Sequence, residues 1–409
     1  MPPPLITNAE RRRRLAHRHL LSPELRTPDL PTVVDALVAL HSSDPVTVYL
    51  TAAARLDNPS IDVIDHALYS ERKVFRHHAM RRTLWVMGKE TIGAAHASCT
   101  LKIADAEERR FLAWLEDTPS ISRPRAWLEM ATERIVDYLS TSAPASTREI
   151  GLALPDLAEP VKVALGTRQE TTIPGHSRAL LLAALNGIVV RTRPRGTWIA
   201  SNYIWDTARR WGFPALTGQE PAQGTAELLV RVLDRFGPCT LTDLKWWTGW
   251  TLTMTRRALA DISAAEVALE SGATGWMNAS DVDDSVNDPG PWIALLPGLD
   301  PTTMGWKERD WYLATDVAAH VFDRNGNAGP TIWADGQVVG GWAQRANGEI
   351  AFDLHRELTR EHRALLADAE SRTIEFVGDT RFSVRFPSPN QKRLLSTTGT
   401  YPADDAIEA

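Results

Sequence analysis

The sequence predicts an α+β protein with three tandem winged-helix domains followed by a small β-barrel-like domain. The main observation is a repeat, because three helical segments followed by a pair of strands occur three times before residue 280. The second observation is the acidic segment "DVDDSVNDPG", after which glycine-rich turns separate several short strands. Three copies in series indicate the winged-helix plan more strongly than a single helix-turn-helix pattern would.

The repeat and the composition together predict the domain boundaries. Residues 1–120, 121–215 and 216–280 are assigned to the three winged helices, 281–390 to the β-rich domain and 391–409 to a flexible tail. A chain of 409 residues, 43% of them hydrophobic, is long enough for several such cores. No apolar run reaches the ~18 residues of a membrane span, and the basic N-terminus lacks the apolar segment of a signal peptide.

Cysteine content and net charge restrict the class of protein. Only Cys99 and Cys239 are present, which fits a reducing cytoplasm and argues against a disulfide framework or a cysteine-based zinc site. A net charge of −6 argues against a protein that coats nucleic acid over its whole surface, although it allows a local basic face. The sequence has no phosphate-binding loop, dinucleotide-binding glycine pattern or His-Glu-x-x-His metal motif. We therefore expect a cytoplasmic monomer that needs no metal and no cofactor.

The first copy of the repeat lies at the N-terminus. Its predicted elements are helices at residues 9–21, 30–40 and 45–56 and a pair of strands within 73–87. Asn8 is the expected N-cap of the first helix, and Asp44 before Pro45 supplies a cap and a first turn for the third. His77 and His78 point to opposite faces of the predicted strand, so they do not predict a shared metal ion.

The second and third copies follow the same order, and the C-terminal region differs from both. The second copy predicts helices within 124–140, 146–154 and 175–185 and a hairpin at 187–200 that turns at 194–196. The third predicts helices within 225–238, 240–249 and 251–262 and a wing at 265–278. In the C-terminal region, strands are expected within 292–301, 321–344 and 373–388, with one helix within 353–371.

Basic hairpins are the candidate nucleic-acid interface. In the second hairpin, Arg191 and Arg193 share one face of a strand, and Arg195 lies at the predicted tip. In the first hairpin the corresponding residues are Arg81, Arg82 and Thr83. Arginines on a hairpin can contact the phosphates or enter a groove of double-stranded DNA, and exposed hairpins also carry arginines that are merely solvated.

Five motifs between roughly residues 10 and 386 carry a resemblance to a known family. They are "LVALHSSDP", "MRRTLWVM", "RFGPCTLTDLKWWTG", "LLPGLDPTTMGWKERD" and "FDRNGNAGPTIWADGQVVGGW". With them the chain resembles the AlkZ/YcaQ family of bacterial winged-helix DNA glycosylases. The resemblance implies three winged helices and a β-barrel arranged as a concave DNA-binding body. It also implies an enzyme of the nucleoid that excises alkylated bases and unhooks interstrand crosslinks.

The resemblance points to a catalytic corner as well. Family enzymes carry Gln-x-Gln or Gln-x-Asp at the end of a first-domain helix, and the matching positions here are His41 and Ser43. Arg82 stands where the family's Arg-Gly-Thr-like segment has glycine. The resemblance thus implies a monofunctional DNA glycosylase acting on alkylated purines in duplex DNA. Because both glutamines are replaced, a DNA-binding regulator or damage sensor without catalysis is the alternative.

The chemistry of the substrate sets what this corner must do. A purine alkylated at N7 or N3 is cationic and leaves as a neutral molecule, so the site must chiefly position a water and tolerate charge developing on the sugar. Neutral His41 can accept a proton from that water and Ser43 can orient it, whereas an imidazolium would repel the developing cation. Asp44 is a further candidate for a carboxylate in the site. The competing interpretation is that these residues only cap the adjoining helices.

Overall fold

Helices and short strands alternate along the described part of the chain, which is residues 2–166, 170–216 and 218–396 of the computed structural model. They form two units. The first unit contains the chain up to Asp65, Val230–Trp247 and the chain from Thr251 onwards, and the second contains His66–Leu229 and Thr248–Trp250. The predicted mixture of helices and small sheets is confirmed. The number of winged helices and the boundaries at residues 120, 215, 280 and 390 stay predictions.

Most helices of the first unit overlap their predicted positions but differ at their ends. The helices are Asn8–Arg18, Leu30–Ala36, Pro45–Ala53, Ile61–Asp65, Leu252–Asp261, Thr315–Val321, Arg360–Val377 and Pro389–Leu395, while Pro221–Phe236 and Leu241–Thr248 each contain a unit boundary. Ile61–Asp65, Thr315–Val321 and Pro389–Leu395 were not predicted as helices. The N-cap of the first helix is Thr7, whose hydroxyl accepts from Glu10 N at 3.1 Å, so the assignment to Asn8 is wrong. The second helix ends before residue 40 because Val38 has a φ of 61°, which a right-handed helix cannot include.

The sheets of the first unit are small and open. Leu5–Ile6 pairs in parallel with Ala265–Leu269, which pairs in antiparallel with Thr274–Met277. The second sheet is antiparallel, with the strands Ile293–Leu296, Thr331–Ala334, Gln337–Gln344 and Ile350–Leu354 in chain order. The first and last of these strands do not pair with each other. The predicted barrel is therefore not closed in the described residues, and this prediction is wrong.

The expected final hairpin at residues 373–388 is also wrong. Helix Arg360–Val377 continues through its first part, and no strand follows among the described residues. Leu366, Phe376 and Val377 are buried at helical spacing, so two of the apolar residues that suggested a strand, Phe376 and Val377, belong to the buried face of this helix. Within the predicted tail, Pro389–Leu395 is a short helix, and residues 397–409 lie outside the described part of the chain.

The second unit combines two predicted hairpins with a helical core. Its helices are Lys89–Ala95, Leu101–Glu116, Pro124–Thr141, Thr147–Ala153, Gly175–Leu185 and Ala208–Trp211, and its strands are Val74–His78, Leu84–Gly88, Ala145–Ser146, Pro160–Val163, Thr171–Pro174, Val189–Pro194 and Tyr203–Thr207. The first hairpin joins Val74–His78 to Leu84–Gly88, and the second joins Val189–Pro194 to Tyr203–Thr207. The second hairpin turns over residues 195–202 rather than at 194–196. Across the described ranges, no helix is both long and apolar enough to cross a membrane.

Two buried histidines of the second unit make its stability depend on pH. His77 Nε2 lies 3.2 Å from His96 Nδ1, and both side chains are buried. Burial lowers the pKa of His77 to about 3, with a further contribution from the neighbouring His96. Burial lowers the pKa of His96 to about 4. Both rings are therefore neutral in the folded protein at pH values where an unfolded histidine binds a proton.

We expect the free energy of unfolding to be fully retained above pH ~6.5 and to fall as the pH drops from there toward 4, because the unfolded chain binds protons first. Each ring contributes up to about 1.4 kcal/mol per pH unit. Urea unfolding between pH ~5 and ~7.5 measures this slope. His77→Gln should make the slope shallower by about that amount. An equal slope in His77→Gln and the unsubstituted protein would contradict the assignment.

Candidate active site and nucleic-acid interface

The candidate catalytic corner, residues His41–Asp44, lies in the first unit between the two-residue strand Leu40–His41 and helix Pro45–Ala53. The His41 side chain is buried, with 8% of the residue exposed, and Ser43 is half-buried. A corner of this kind places a nitrogen base and a hydroxyl two residues apart at the start of a helix.

Contacts with the "LLPGLDPTT" motif fix the helix that follows the corner. Thr47 Oγ1 donates to Gly298 O at 2.8 Å, and Thr51 Oγ1 donates to Asp300 Oδ2 at 2.9 Å. Arg55, just beyond the helix, donates to both Asp300 oxygens at 2.9 Å. The side chains of Arg55 and Asp300 are completely buried. The motif thus holds the helix by side-chain contacts, which sequence reasoning had not assigned to it.

Asp44 acts as the N-cap of the same helix. Its Oδ1 accepts from Val46 N at 3.2 Å, and its Oδ2 accepts from Arg385 N at 3.1 Å. Burial raises the pKa of Asp44, and the two backbone N–H groups and the Arg385 charge oppose that shift. With both oxygens accepting backbone hydrogen bonds, the carboxylate is held in place as a cap, so the capping interpretation fits Asp44 better than a role in catalysis.

Arg385 is a charged residue at the corner that sequence reasoning missed. Its guanidinium donates to Ser43 O at 2.9 Å, and its side chain is exposed. The residue lies in the segment that had been assigned to a strand, more than 300 positions from the corner in sequence. No local pattern pairs the two segments, because each contact joins a side chain of one segment to a backbone group of the other, more than 300 positions away.

The tip of the first hairpin has an unusual backbone. Arg81 has a φ of 55° and Arg82 a φ of 62°, the left-handed region that favours glycine. This conformation explains why a glycine suits the position of Arg82. Thr83 follows in extended backbone. The Arg82 guanidinium forms a 2.7 Å ion pair with Glu107, so the side chain is held at the surface of the second unit.

The second hairpin places its three arginines on its more exposed face. The Arg191 guanidinium lies 4.7 Å from the Trp205 ring and 3.2 Å from His78 Nε2, and burial lowers the pKa of Arg191 to about 10. Arg193 is exposed and lies 4.6 Å from a tyrosine ring. Arg195 is exposed and forms a 2.9 Å ion pair with Glu149.

The structure brings the predicted DNA-binding residues together in one unit. The Arg191–His78 contact joins a strand of one hairpin to a strand of the other, so the candidate arginines of both hairpins lie in the same unit. His41 and Ser43 belong to the first unit.

His77 and His78 have different neighbours, as expected for opposite strand faces. In the described parts of the chain, no three histidine, cysteine, aspartate or glutamate side chains are grouped so that they could hold a metal ion.

Comparison with known proteins identifies the family to which this chain belongs. The model of the AlkZ-like DNA glycosylase family matches residues 34–376, and the chain therefore belongs to that family. Among solved structures, the Streptomyces sahachiroi DNA glycosylase AlkZ is similar, with a TM-score of 0.68 and 18% sequence identity over 94% of this chain and 100% of that chain. No curated protein sequence matches the chain. The family resemblance is thus confirmed, and the structural match supports the fold.

Proposed function

We propose that this protein is a monofunctional DNA glycosylase that hydrolyses the N-glycosidic bond of alkylated purines, including bulky adducts and interstrand crosslinks, in duplex DNA. It would act as a monomer in the bacterial nucleoid. The observation that carries the proposal is the corner His41–Asp44, which begins a helix held by buried hydrogen bonds and which the family resemblance aligns with the catalytic motif of the related enzymes. A rigid support of this kind is what precise positioning of a reacting water requires.

In the proposed reaction the alkylated base leaves with the electron pair of the C1′–N9 bond. Its positive charge is thereby neutralised, and the sugar becomes oxocarbenium-like. A water oriented by Ser43 adds its oxygen to C1′, and His41 accepts the proton that the water loses and passes it to solvent. The products are the neutral modified base and an abasic site. Because the leaving group is already cationic, the residues of the corner need not supply a strong general acid.

The basic hairpins of the second unit support the DNA-binding part of the proposal. The candidates Arg81, Arg82, Thr83, Arg191, Arg193 and Arg195 all lie in this unit, and the two hairpins that carry them touch. Arginine can contact a phosphate with two parallel hydrogen bonds, so a row of arginines suits a DNA backbone. A largely electrostatic interface also suits an enzyme that must bind many sequences.

The test is base release by the full-length protein. A duplex with one 7-methylguanine is incubated with excess protein, and the free base and the abasic site are quantified by mass spectrometry. We expect release well above the protein-free rate, no release of guanine from the undamaged duplex, and no strand break before alkali treatment. Binding to DNA without release from 7-methylguanine, 3-methyladenine or a crosslinked duplex would contradict the proposal and support a non-catalytic sensor.

A further inference from the structure

A basic pocket in the second unit lies beside the first hairpin and has no role in the reaction described above. Its volume is about 300 Å³. It is lined by Arg81, Arg82, Ser98, Cys99, Lys102, Ile103, Ala106, Glu107, Arg110, Thr248, Gly249 and Trp250. The pocket has both apolar and charged lining residues, and its size suits a small polar group.

The pocket carries an excess of positive charge. Four of its lining residues are basic, and Glu107 is the one acidic residue among them. Glu107 is buried and forms ion pairs with three guanidinium groups. The distances are 2.7 Å to Arg82, 2.6 Å to Arg110 and 3.5 Å to Arg178. The three positive charges therefore share one negative charge. Lys102 has an exposed side chain on the same helix.

The other groups around the pocket do not reduce this excess. Burial raises the pKa of the Cys99 thiol to about 11, so the thiol is neutral. Burial lowers the pKa of Arg178, the Glu107 charge opposes that shift, and the charges of Arg82 and Arg110, which repel the Arg178 guanidinium, lower the pKa further. An anion placed among these groups would relieve that repulsion.

Two backbone irregularities border the same pocket. Arg81 and Arg82 occupy the left-handed region in succession, which is strained for residues other than glycine. Ser98 and Cys99, which also line the pocket, lie in a π-turn, His96–Thr100, between the helices Lys89–Ala95 and Leu101–Glu116. Both features are found at functional sites more often than elsewhere, and here they shape two walls of one cavity.

We propose that this pocket binds a nucleotide phosphate, with Arg82, Lys102 and Arg110 as the cationic groups. Glu107 keeps the two guanidiniums side by side, so that they can contact two oxygens of one phosphate. The tip of the first hairpin lines the pocket and also carries candidate DNA contacts. We therefore expect the phosphate to come from the DNA backbone. The inference rests on the proposed function only in taking DNA as the ligand, since base release is not required for it.

The test compares the salt dependence of binding to an undamaged duplex among four proteins. These are the unsubstituted protein, Lys102→Ala, Arg110→Ala and Arg109→Ala. Arg109 is the matched control, because it is an exposed arginine on the same helix and does not line the pocket. The logarithm of the DNA-binding constant falls linearly with the logarithm of the salt concentration, and each lost phosphate contact makes this slope shallower by about 0.9. We expect that reduction and a several-fold weaker affinity for Lys102→Ala and Arg110→Ala, and a clearly smaller change for Arg109→Ala.

Free phosphate compounds form the second arm of the experiment. Thermal unfolding is followed with inorganic phosphate and with a nucleoside monophosphate, for the unsubstituted protein, Arg110→Ala and Arg109→Ala. Equal salt slopes for Arg110→Ala and Arg109→Ala would overturn DNA as the source. If a free phosphate compound then stabilises the unsubstituted protein and Arg109→Ala but not Arg110→Ala, the pocket is a phosphate site with a ligand other than DNA. If no free phosphate compound stabilises the unsubstituted protein either, the proposed site is overturned. Because the duplex is undamaged, failure of base release would leave both readouts intact.

Discussion

Replacing Arg55 with methionine is expected to destabilise the protein by roughly 3–5 kcal/mol, because it leaves the Asp300 carboxylate buried and without its ion partner. Both side chains are completely buried, and Arg55 makes bonds to both carboxylate oxygens and to Thr302 Oγ1 at 2.8 Å. The loss is measured as the difference in free energy of unfolding in urea. Because Asp300 also accepts from Thr51, the substitution should weaken the support of the helix that begins at the candidate catalytic corner, while the hydrogen bond between Thr47 and Gly298 remains.

Two controls separate this effect from a general loss of charge. Arg345→Met removes an arginine whose ion pair with Glu349 is largely exposed, and it should cost less than about 1 kcal/mol. The double substitution Arg55→Met with Asp300→Leu removes both buried charges and should recover a large part of the stability. If Arg55→Met and Arg345→Met have equal effects, the buried pair does not anchor the fold.

Local signals in the sequence were sufficient to predict most helices and the hairpins. Gly175–Leu185 has its predicted bounds, and Ser146 and Glu149 form a reciprocal cap at the start of a helix, because apolar spacing and capping chemistry act within a few residues. The last predicted hairpin failed because Phe376 and Val377, which favour strands, are buried on one face of a helix instead. The β-rich sheet is open among the described residues, because its first and last strands do not pair with each other.

The candidate site was only partly accessible to sequence reasoning. The corner His41–Asp44 and the hairpin arginines could be found because motif and alternation are short-range patterns. The roles of Arg385 and Asp300 could not, because each depends on contacts across more than 200 positions. The basic pocket could not be predicted from the spacing of Lys102 and Arg110 alone. Its lining also includes the tip of the first hairpin and residues Thr248–Trp250, which are far from this helix in sequence.

Replacing His41 with alanine is expected to lower the rate of base release by about 100- to 10,000-fold, the range in which general base catalysis contributes. The substitution removes the group that accepts the proton of the attacking water and leaves the hairpin arginines unchanged. DNA affinity should therefore stay within about threefold of the unsubstituted protein. His41→Gln places the residue of the related enzymes at this position, and it should retain activity if the geometry of the corner is preserved.

The most direct measurement is the single-turnover rate constant for 7-methylguanine release from one defined duplex at saturating protein. Under this condition the rate constant reports the chemical step rather than binding. It is determined for the unsubstituted protein, His41→Ala and, as a matched control at an exposed histidine, His66→Ala. The account predicts at least a hundredfold slower release for His41→Ala alone. Equal rate constants for all three proteins would show that the imidazole at this corner takes no part in the hydrolysis.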